Sequence, residues 1–545
     1  MRPILMIAAL LAVAAPGRAD GVSSPAAGRS GMVSSAHPLA TAAGIEILER
    51  GGNAFDASVA VAATLNVVEP GMSGMGGYGL ILIYDAAKKK IRVLSASGRF
   101  PRAVDSDVFR PPAAAYRENR AGAKAISTPV NLRAWEALSK QYGRLAWEDL
   151  FAAAIRAAEE GFVLARPVGG EAFQSFPDHA QQFYGKDGKP LAASDRLVQK
   201  DLAASLRLVA RQGPQALHGG ELGRKIDAEM RRVGSFLRLE DMAASRAEWY
   251  EPIRIDYRGY RVVTAPPPAN SFASLLRLGL MSQLDTRALG HNTAAYLHHF
   301  AEVTKHAYWC RLRYAGDPER NPPPLNLLLS PGYWKERAAA IDPARARDFV
   351  PPAQFTSEGS DTTHFAVADR WGNIVNATQT LGSEYGARVM APGTGVWLNN
   401  SIYFCTFEPK GNPMDAFPGA RKFISNHPTI ILKDGRPWAA FGTPGGHTIG
   451  QTTAQMALSL VDFGMDIQRA INEPRVSFVE PNELSVEAAI PESVRERLRS
   501  MGHRVRVVER LGNAHGLTIE YDAAGKPVRF TGGADRRGQG EAKGY

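Results

Sequence analysis

The spacing of apolar residues changes near residue 361, and this change limits the folds that the chain can adopt. Before it, apolar residues recur at helical spacing in the segments 38–50, 53–68, 130–142, 147–160, 202–211 and 295–311. After it, apolar and polar residues alternate as in strands in the segments 362–369, 374–381, 429–432 and 438–442. Together with a strand pair at 80–84 and 91–94, a helix at 448–463 and no internal repeat, these patterns predict a layered α/β or α+β fold.

Composition excludes two classes of protein. The formal net charge of the 545 residues is +10 at pH 7, but the only lysine run is 88–90 and the arginines are scattered among acidic residues. Since a nucleic-acid-binding surface needs a clustered basic stripe, we expect no nucleic-acid partner. Two cysteines, Cys310 and Cys405, are too few for a disulfide scaffold, and whether they pair stays open.

The first residues have the pattern of an export signal. Arg2 supplies the positive charge, residues 4–15 form the apolar stretch, and Gly17-Arg18-Ala19 is a cleavage site of the small-x-small type. This stretch is shorter than the roughly 18 apolar residues that cross a bilayer, and no later stretch reaches that length. We therefore expect residues 1–19 to be a signal peptide and the mature protein to be periplasmic or secreted, without a membrane span.

Two features resemble cofactor sites, and neither is complete. The glycines in 71–79 have the spacing of a dinucleotide fingerprint, but a helix precedes them and a strand follows, which is the reverse of the required order. His298, His299 and His306 share one predicted helix, but no His-Glu-x-x-His pattern or cysteine pair completes a zinc site. We expect no metal or organic cofactor, and a packing or substrate-lining role for the glycine loop.

The strand that starts at Thr362 follows a polar loop, as a self-cleaving precursor requires. If the Thr362 hydroxyl cut the Asp361–Thr362 bond, the new chain would begin with a threonine that carries a nucleophile and a free amine. An α-amino group titrates near pH 8, so a useful fraction is unprotonated at neutral pH and can activate the hydroxyl next to it. The chemistry then needs no separate histidine or aspartate.

A glycine turn at 442–448 supplies the second part of an acyl-transfer site. Here a predicted strand ends in Gly442-Thr443-Pro444-Gly445-Gly446 and a helix begins, which presents backbone amides without obstructing side chains. Such amides can hold the oxyanion of a tetrahedral intermediate, a contribution of about 3–4 kcal/mol per donor. A phosphate loop is excluded because the Gly-Lys-Ser/Thr ending is missing.

With these motifs, the chain resembles the γ-glutamyltranspeptidase family of N-terminal-nucleophile hydrolases from about residue 30 to the C-terminus. The segments that carry the resemblance are 51–57 (GGNAFDA), 70–79, 142–145 (YGRL), 157–162, 265–268, 314–318, 361–364 (DTTH), 398–400 (LNN), 444–446 (PGG) and 533–537 (GADRR).

The resemblance implies an αββα sandwich that is built jointly by two subunits from one precursor. Cleavage between Asp361 and Thr362 would give a large subunit of residues 20–361 and a small catalytic subunit of residues 362–545, which remain associated. The residues implied for catalysis are Thr362 as self-processing residue and nucleophile, Thr380 as its supporting residue, and Gly445 and Gly446 as the oxyanion hole.

The implied substrate pocket departs from the family pattern at the carboxylate end of the acyl group. The family fixes the α-carboxylate of a γ-glutamyl group with an arginine and two serines. Arg99 lies near the arginine position but not in register, and Ser425 alone remains of the serine pair. Thr378 and Asn426 are further candidates for substrate binding.

The pocket departs more strongly at the amino end. The acid expected shortly after Asn399-Asn400 is missing from 401–405, and Gly382 stands where an asparagine is usual. A bound ammonium would then lose hydration without a counter-charge. Glu384 can replace the acid if its loop folds inward, and for His427 an acyl contact and a packing role both stay open.

Three functions follow from these observations. The first is an exported γ-glutamyltranspeptidase or γ-glutamyl hydrolase that acts on glutathione-like amides and passes the acyl group to water or to an amino-acid or peptide acceptor. The second keeps the machinery but takes another acyl group, as in relatives similar to cephalosporin acylases or small amidohydrolases. The third is an unprocessed, non-catalytic binding protein.

Overall fold

The computed structural model describes residues 24–111, 119–352 and 361–545. The predicted signal peptide, residues 1–19, lies outside the described residues, as does 353–360, which contains most of the polar loop before Thr362. The chain is continuous from Asp361 to Thr362.

The described residues form helices and strands that alternate along the whole chain. The strands are β1 (Ala26–Gly28), β2 (Met32–Ser35), β3 (Tyr78–Asp85), β4 (Lys90–Ala96), β5 (Phe162–Val163), β6 (Gly185–Lys186), β7 (Lys189–Pro190), β8 (Arg196–Leu197), β9 (Glu248–Tyr250), β10 (Ile253–Tyr257), β11 (Tyr260–Thr264), β12 (Asp361–Ala368), β13 (Ile374–Gly382), β14 (Thr429–Lys433), β15 (Arg436–Gly442), β16 (Val476–Val479), β17 (Glu483–Glu487), β18 (Arg504–Val508), β19 (His515–Tyr521), β20 (Pro527–Ala534) and β21 (Glu541–Gly544). The helices are α1 (Pro38–Glu49), α2 (Ala54–Val68), α3 (Asn131–Tyr142), α4 (Ala152–Glu160), α5 (Asp178–Tyr184), α6 (Lys200–Gln212), α7 (Glu221–Arg232), α8 (Leu239–Ala244), α9 (Phe272–Met281), α10 (Thr286–Leu289), α11 (Ala294–Tyr314), α12 (Leu325–Leu328), α13 (Pro331–Ala339), α14 (Ile449–Val461), α15 (Ile467–Asn472) and α16 (Glu492–Ser500).

Two seven-stranded sheets form the centre of the molecule. The first sheet has the strand order β21-β2-β12-β13-β3-β4-β9, and the second has the order β1-β20-β19-β15-β14-β11-β10. Each sheet mixes strands from before and after residue 361; in the first, for example, β12 pairs with β13 on one side and β2 on the other. Both predicted subunits therefore contribute to both sheets.

Alternation along the inner strands explains the four layers, because successive side chains of a strand point to opposite faces. In β12, Phe365 and Val367 pack in a cluster with residues of α1, α2 and α3. Ala366 and Ala368 pack in a different cluster, together with Ile430 and other residues of the second sheet. The second sheet is covered on its other face by α9, α11 and α14. The result is the predicted αββα sandwich.

Most predicted elements are found with ends that shift by one to three residues. Helix α2 starts at a capping box, in which the Asn53 side chain and Asp56 satisfy each other's backbone N–H groups. The predicted helix 147–160 is instead a 3₁₀ segment, Trp147–Phe151, followed by α4. Two helices, α1 and α2, are buried on most sides, so their apolar residues are not confined to a narrow stripe.

The glycine loop between α2 and β3 packs tightly against the rest of the fold. A side chain at Gly76 would place its first carbon 2.0 Å from the Trp397 carbonyl oxygen. This close approach supports the packing role predicted for the loop.

The structure also bears on the two cysteines and on the expected absence of a membrane span. Cys310 and Cys405 are both buried and free, so they do not form a disulfide bond in this structure. Within the described residues, no helix has both the length and the apolar character to cross a membrane.

Candidate active site

Thr362 lies at the start of β12, on the face of the first sheet that is turned toward the second sheet. A bulge marks this point: Asp361 pairs with Gly382 and Thr363 pairs with Gln379, so Thr362 lies against two residues of β13. Its side chain is buried. Pairing with β13 on both sides of Thr362 thus fixes the position of the Asp361–Thr362 bond.

A chain of hydrogen bonds joins the predicted nucleophile to the bond that it is expected to cut. Thr362 Oγ1 donates to Thr380 Oγ1 at 3.2 Å. Thr380 Oγ1 in turn donates to the Asp361 carbonyl oxygen at 2.7 Å and accepts the Gly382 N–H at 2.7 Å. Because the Thr380 hydroxyl binds the carbonyl oxygen of the junction, it can stabilise negative charge that develops there.

Two carboxyl groups, in addition to that of Asp361, lie near the junction. Glu69 accepts a hydrogen bond from Thr363 Oγ1 at 2.8 Å, and burial raises the pKa of Glu69. The Asp361 carboxylate accepts the Glu384 N–H at 2.9 Å. Burial and the neighbouring Asp361 raise the pKa of Glu384. Glu69 and Glu384 therefore lie near the junction in surroundings that disfavour their charged forms.

A cleft of about 540 Å³ opens at Thr362. Its lining is rich in arginine, with Arg166, Arg506, Arg510 and Arg537 among the residues that face it. Arg506 pairs with Glu483 and Arg537 with Glu487, so part of this charge is balanced. The cleft has room for a small anionic substrate or acceptor next to the threonine.

The predicted glycine turn also faces this cleft. Gly445 has φ +131° and Gly446 has φ +56°, conformations that L side chains rarely adopt. The N–H groups of these two glycines have no hydrogen-bond partner among the described residues. Gly445 lines the Thr362 cleft, whereas Gly446 lines a small adjoining cavity with Ser425 and His427. The turn therefore has two unused donors, and one of them belongs to a glycine that lines the Thr362 cleft.

The structure does not bring Arg99 to Thr362. Its guanidinium pairs with Glu248 at 3.0 Å and donates to the Gly419 carbonyl oxygen at 3.2 Å. Arg99 lines a separate cavity of about 200 Å³ that does not include Thr362. Glu384 lies closer: it lines a cavity of about 60 Å³ whose lining shares Glu69 with the Thr362 cleft.

The remaining predicted binding residues are engaged in contacts between the layers. Asn426 Nδ2 donates to the Thr378 carbonyl oxygen at 2.7 Å, and the Thr378 hydroxyl contacts His364 Nδ1 at 2.8 Å. The Ser425 hydroxyl is 3.5 Å from a guanidinium nitrogen of Arg311. His427 contacts the Ser274 hydroxyl at 2.6 Å, which supports its packing role.

Sequence reasoning missed a buried lysine near the strands that carry Thr362 and Thr380. Lys422 Nζ donates to the hydroxyls of Ser401 and Ser127 at 2.6 and 2.7 Å. The same nitrogen lies 3.7 Å from the centroid of the Tyr78 ring. The signal in the sequence is one lysine three residues before Ser425, directly ahead of the apolar pair Phe423-Ile424.

The predicted helix with three histidines holds a compact polar group. Atoms of His298, Glu302 and His503 lie within 4.8 Å of one another. His298 Nδ1 is 2.8 Å from His503 Nε2, and Glu302 accepts from Lys305 Nζ at 2.7 Å. Each member thus already has a protein partner. Sequence reasoning did not find this group because His503 is distant in the chain.

Comparison with known proteins gives consistent results. The family described as Gamma-glutamyltranspeptidase matches residues 40–545. The chain is 37% identical over 540 residues to the Acylase ACY 1 proenzyme of Pseudomonas sp. (strain SE83), covering 94% of this chain and 96% of that protein. It is 34% identical over 537 residues to the Glutathione hydrolase-like YwrD proenzyme of Bacillus subtilis (strain 168), covering 95% and 99%. The solved structure of cephalosporin acylase from Bacillus halodurans superposes with a TM-score of 0.86 at 27% identity, covering 99% of both chains.

The four-layer fold and these structural relatives define the class of N-terminal-nucleophile hydrolases. The chain belongs to the γ-glutamyltranspeptidase family. It is an enzyme of that family's transferase and hydrolase type, and its relatives are proenzymes. The predicted family and fold are thereby confirmed, and the enzymatic functions are favoured over a non-catalytic binding protein.

Proposed function

We propose that the precursor cuts its own Asp361–Thr362 bond and then works as an exported γ-glutamyltranspeptidase or γ-glutamyl hydrolase. The observation that carries this proposal is the hydrogen-bonded series from Thr362 through Thr380 to the Asp361 carbonyl oxygen. Attack of the Thr362 hydroxyl on that carbonyl carbon converts the peptide bond to an ester, and water hydrolyses the ester. The products are residues 20–361 and 362–545.

In the mature enzyme, the free amine of Thr362 accepts the proton of its own hydroxyl as the oxygen attacks the amide of the substrate. The N–H groups of Gly445 and Gly446 stabilise the oxyanion of the tetrahedral intermediate. Collapse releases the amine product and leaves an acyl ester on Thr362. Water or an amino acceptor then takes the acyl group, which for glutathione-like substrates is γ-glutamyl.

A second candidate is an acylase for a glutaryl-like group, which lacks the α-amine. Two observations favour it: residues 401–405 contain no carboxylate, and Gly382 has no side chain. The buried amine of Lys422 contacts Ser401 in the same region. This arrangement offers no counter-charge to a substrate ammonium. Relatives named acylase also stand among the similar proteins.

The proposal of self-processing is tested with the Thr362→Ala variant. Wild-type protein on a denaturing gel should give two bands, whereas Thr362→Ala should give one uncut band and no amidase activity. Thr518→Ala, on the distant strand β19, is the matched control and should be processed normally. A single full-length band for active wild-type protein would overturn the proposal.

The two acyl groups are distinguished by comparing a γ-glutamyl anilide with a glutaryl anilide. The first function predicts the higher kcat/KM for the γ-glutamyl compound. Preference for glutaryl would instead assign the chain to the acylases. Both substrates share the leaving group, so the comparison isolates the contribution of the α-amine.

Export is the remaining part of the proposal, and it rests on the pattern of residues 1–19. Expression of the full chain should deliver a protein that begins near Asp20 to the periplasm or the medium. Removal of residues 1–19 should leave the enzyme in the cytoplasm. Equal distribution of the two forms between fractions would contradict the assignment.

A further inference from the structure

The buried Lys422 lies on the same side of the first sheet as the catalytic threonines. Thr380 on β13 pairs with Tyr78 on β3, and Thr362 precedes them on β12. Neighbouring strands are about 4.8 Å apart, so the Tyr78 backbone is roughly 10 Å from that of Thr362. Lys422 Nζ lies over the Tyr78 ring. The amine is therefore placed on the inner face, about two strands from the nucleophile.

The surroundings of Lys422 lack a negative charge. Its side chain is buried, and its direct polar contacts are the hydroxyls of Ser127 and Ser401. Among the residues that the structure describes, no carboxylate forms an ion pair with it. Burial lowers the pKa of Lys422 well below its ordinary value. A carboxylate brought next to the amine would reverse that effect and restore the ammonium.

Strand β13 lies between the strand of Thr362 and that of Tyr78, and at this level it carries Thr380 and then Gly382, which has no side chain. Gly382 lies opposite Asp361 and is tightly packed: the first carbon of a side chain there would lie 2.0 Å from Asn400 Oδ1 and 3.6 Å from the Tyr78 hydroxyl. Cleavage of the Asp361–Thr362 bond detaches Asp361 from this position. An acyl chain on Thr362 that extends toward Tyr78 would then run across β13 beside Thr380.

We propose that Lys422, with Ser127 and Ser401, binds the carboxylate at the far end of the acyl group carried by Thr362. This inference deepens the proposed function and rests on it. The four carbon–carbon bonds of a five-carbon acyl chain span at most about 6 Å at about 1.5 Å per bond, and a charge-assisted hydrogen bond adds about 2.8 Å. The sum is comparable to the two-strand distance. Both γ-glutamyl and glutaryl groups carry a carboxylate at this position.

The assignment also accounts for Arg99. The arginine that sequence reasoning expected to hold the carboxylate is paired with Glu248 in another cavity. Lys422 supplies a cation from a different segment, and the two serine hydroxyls supply neutral donors. Lys422 is thus a substrate-binding residue that selects for a carboxylate, and it takes no part in bond breaking.

The test compares three anilides with the same leaving group: γ-glutamyl, glutaryl and pentanoyl, of which the last lacks the carboxylate. In Lys422→Met, kcat/KM should fall about 10- to 100-fold for the two carboxylate substrates, as expected for loss of a charged hydrogen bond. For the pentanoyl compound it should stay within about twofold. Lys433→Met, at an exposed lysine on β14, is the control and should change none of the three values.

Equal losses for all three substrates, or no loss for any, would overturn the subsite. If Lys422→Met is not processed, inhibition of the wild-type enzyme provides the test. Glutarate should then inhibit at least tenfold more strongly than pentanoate, and equal inhibition by the two acids would refute the assignment. Turnover of all three anilides without preference for the carboxylate would overturn the subsite and leave the proposed acyl chemistry standing. A processed wild-type enzyme that turns over none of them would overturn both.

Discussion

The hydroxyl of Thr380 contacts groups on both sides of the scissile junction. It accepts from the nucleophilic hydroxyl of Thr362 and donates to the carbonyl oxygen of Asp361. The Gly382 N–H fixes its orientation from a third side. Because the same oxygen orients the attacking group and stabilises the charge on the attacked carbonyl, we expect Thr380 to matter most for self-cleavage.

Replacing Thr380 by alanine should slow the appearance of the two subunits by about 100-fold or more, the usual effect of losing one oxyanion donor. A denaturing gel sampled over time measures this rate. Thr380→Ser keeps the hydroxyl and should process within about tenfold of the wild-type rate. Unchanged processing of Thr380→Ala would show that this hydroxyl does not assist the cleavage.

Among the elements, the turn between β15 and α14 is the one that we propose as the oxyanion hole for the processed threonine. Gly445 has a positive φ, and a side chain there would place its first carbon 2.3 Å from Thr448 Oγ1. The turn can therefore hold its N–H groups toward the cleft only with glycine at this position. The following helix α14, buried along its length, anchors the turn.

Gly445→Ala should be cut at the junction but should lose about 100- to 1000-fold in kcat, because its N–H is displaced from the oxyanion. Gly464→Ala is the matched control: φ is +63° and the space around it is open, so it carries similar backbone strain away from the site. We expect near wild-type kcat for the control. Equal loss of kcat in both variants would assign the effect to stability.

Across the whole molecule, interleaved strands bind the two prospective subunits together. In the first sheet, β12 and β13 stand between β2 and β3, and in the second sheet β14 and β11 are neighbours. Separation of the pieces would break both sheets and expose the core between them. The cut precursor should therefore behave as one folding unit, with buried groups from both pieces contributing to its stability.

Lowering the pH should destabilise the folded protein through its buried histidines, at pH values above those at which the carboxylates of ion pairs become protonated. Burial lowers the pKa of His447 and His515 to about 4. The unfolded chain takes up a proton at each histidine near pH 6.5 and the folded protein does not, so the free energy of unfolding decreases as pH falls from 6.5 to about 4. Melting temperatures measured across this range should decline.

The His515→Gln variant should show a smaller decline in melting temperature. The control variant His179→Gln, at a partly exposed site, should show the same decline as the wild type. A constant melting temperature would contradict the burial argument.

The layers could be predicted from the sequence because they depend on local patterns, and the proposed catalytic centre also rests on local patterns. Alternation in 362–369 indicates a strand, and Gly445-Gly446 after a strand indicates an amide-presenting turn. The Lys422 subsite has no local pattern, since Ser127, Ser401 and Tyr78 meet it only when three distant segments pack together. The position of Arg99 in the chain predicts a place in the substrate pocket. The ion pair with Glu248, a residue distant in the sequence, holds Arg99 in a separate cavity, and no local pattern indicates that pair.

The central claim is that one threonine serves first as the agent of cleavage and then as the carrier of the acyl group. N-terminal sequencing and intact-mass measurement of the purified enzyme test it most directly, before and after brief incubation with substrate. The account predicts a chain that begins Thr362-Thr363-His364 and that gains the mass of one acyl group. A chain that begins elsewhere, or an acyl group found on another residue, would contradict it.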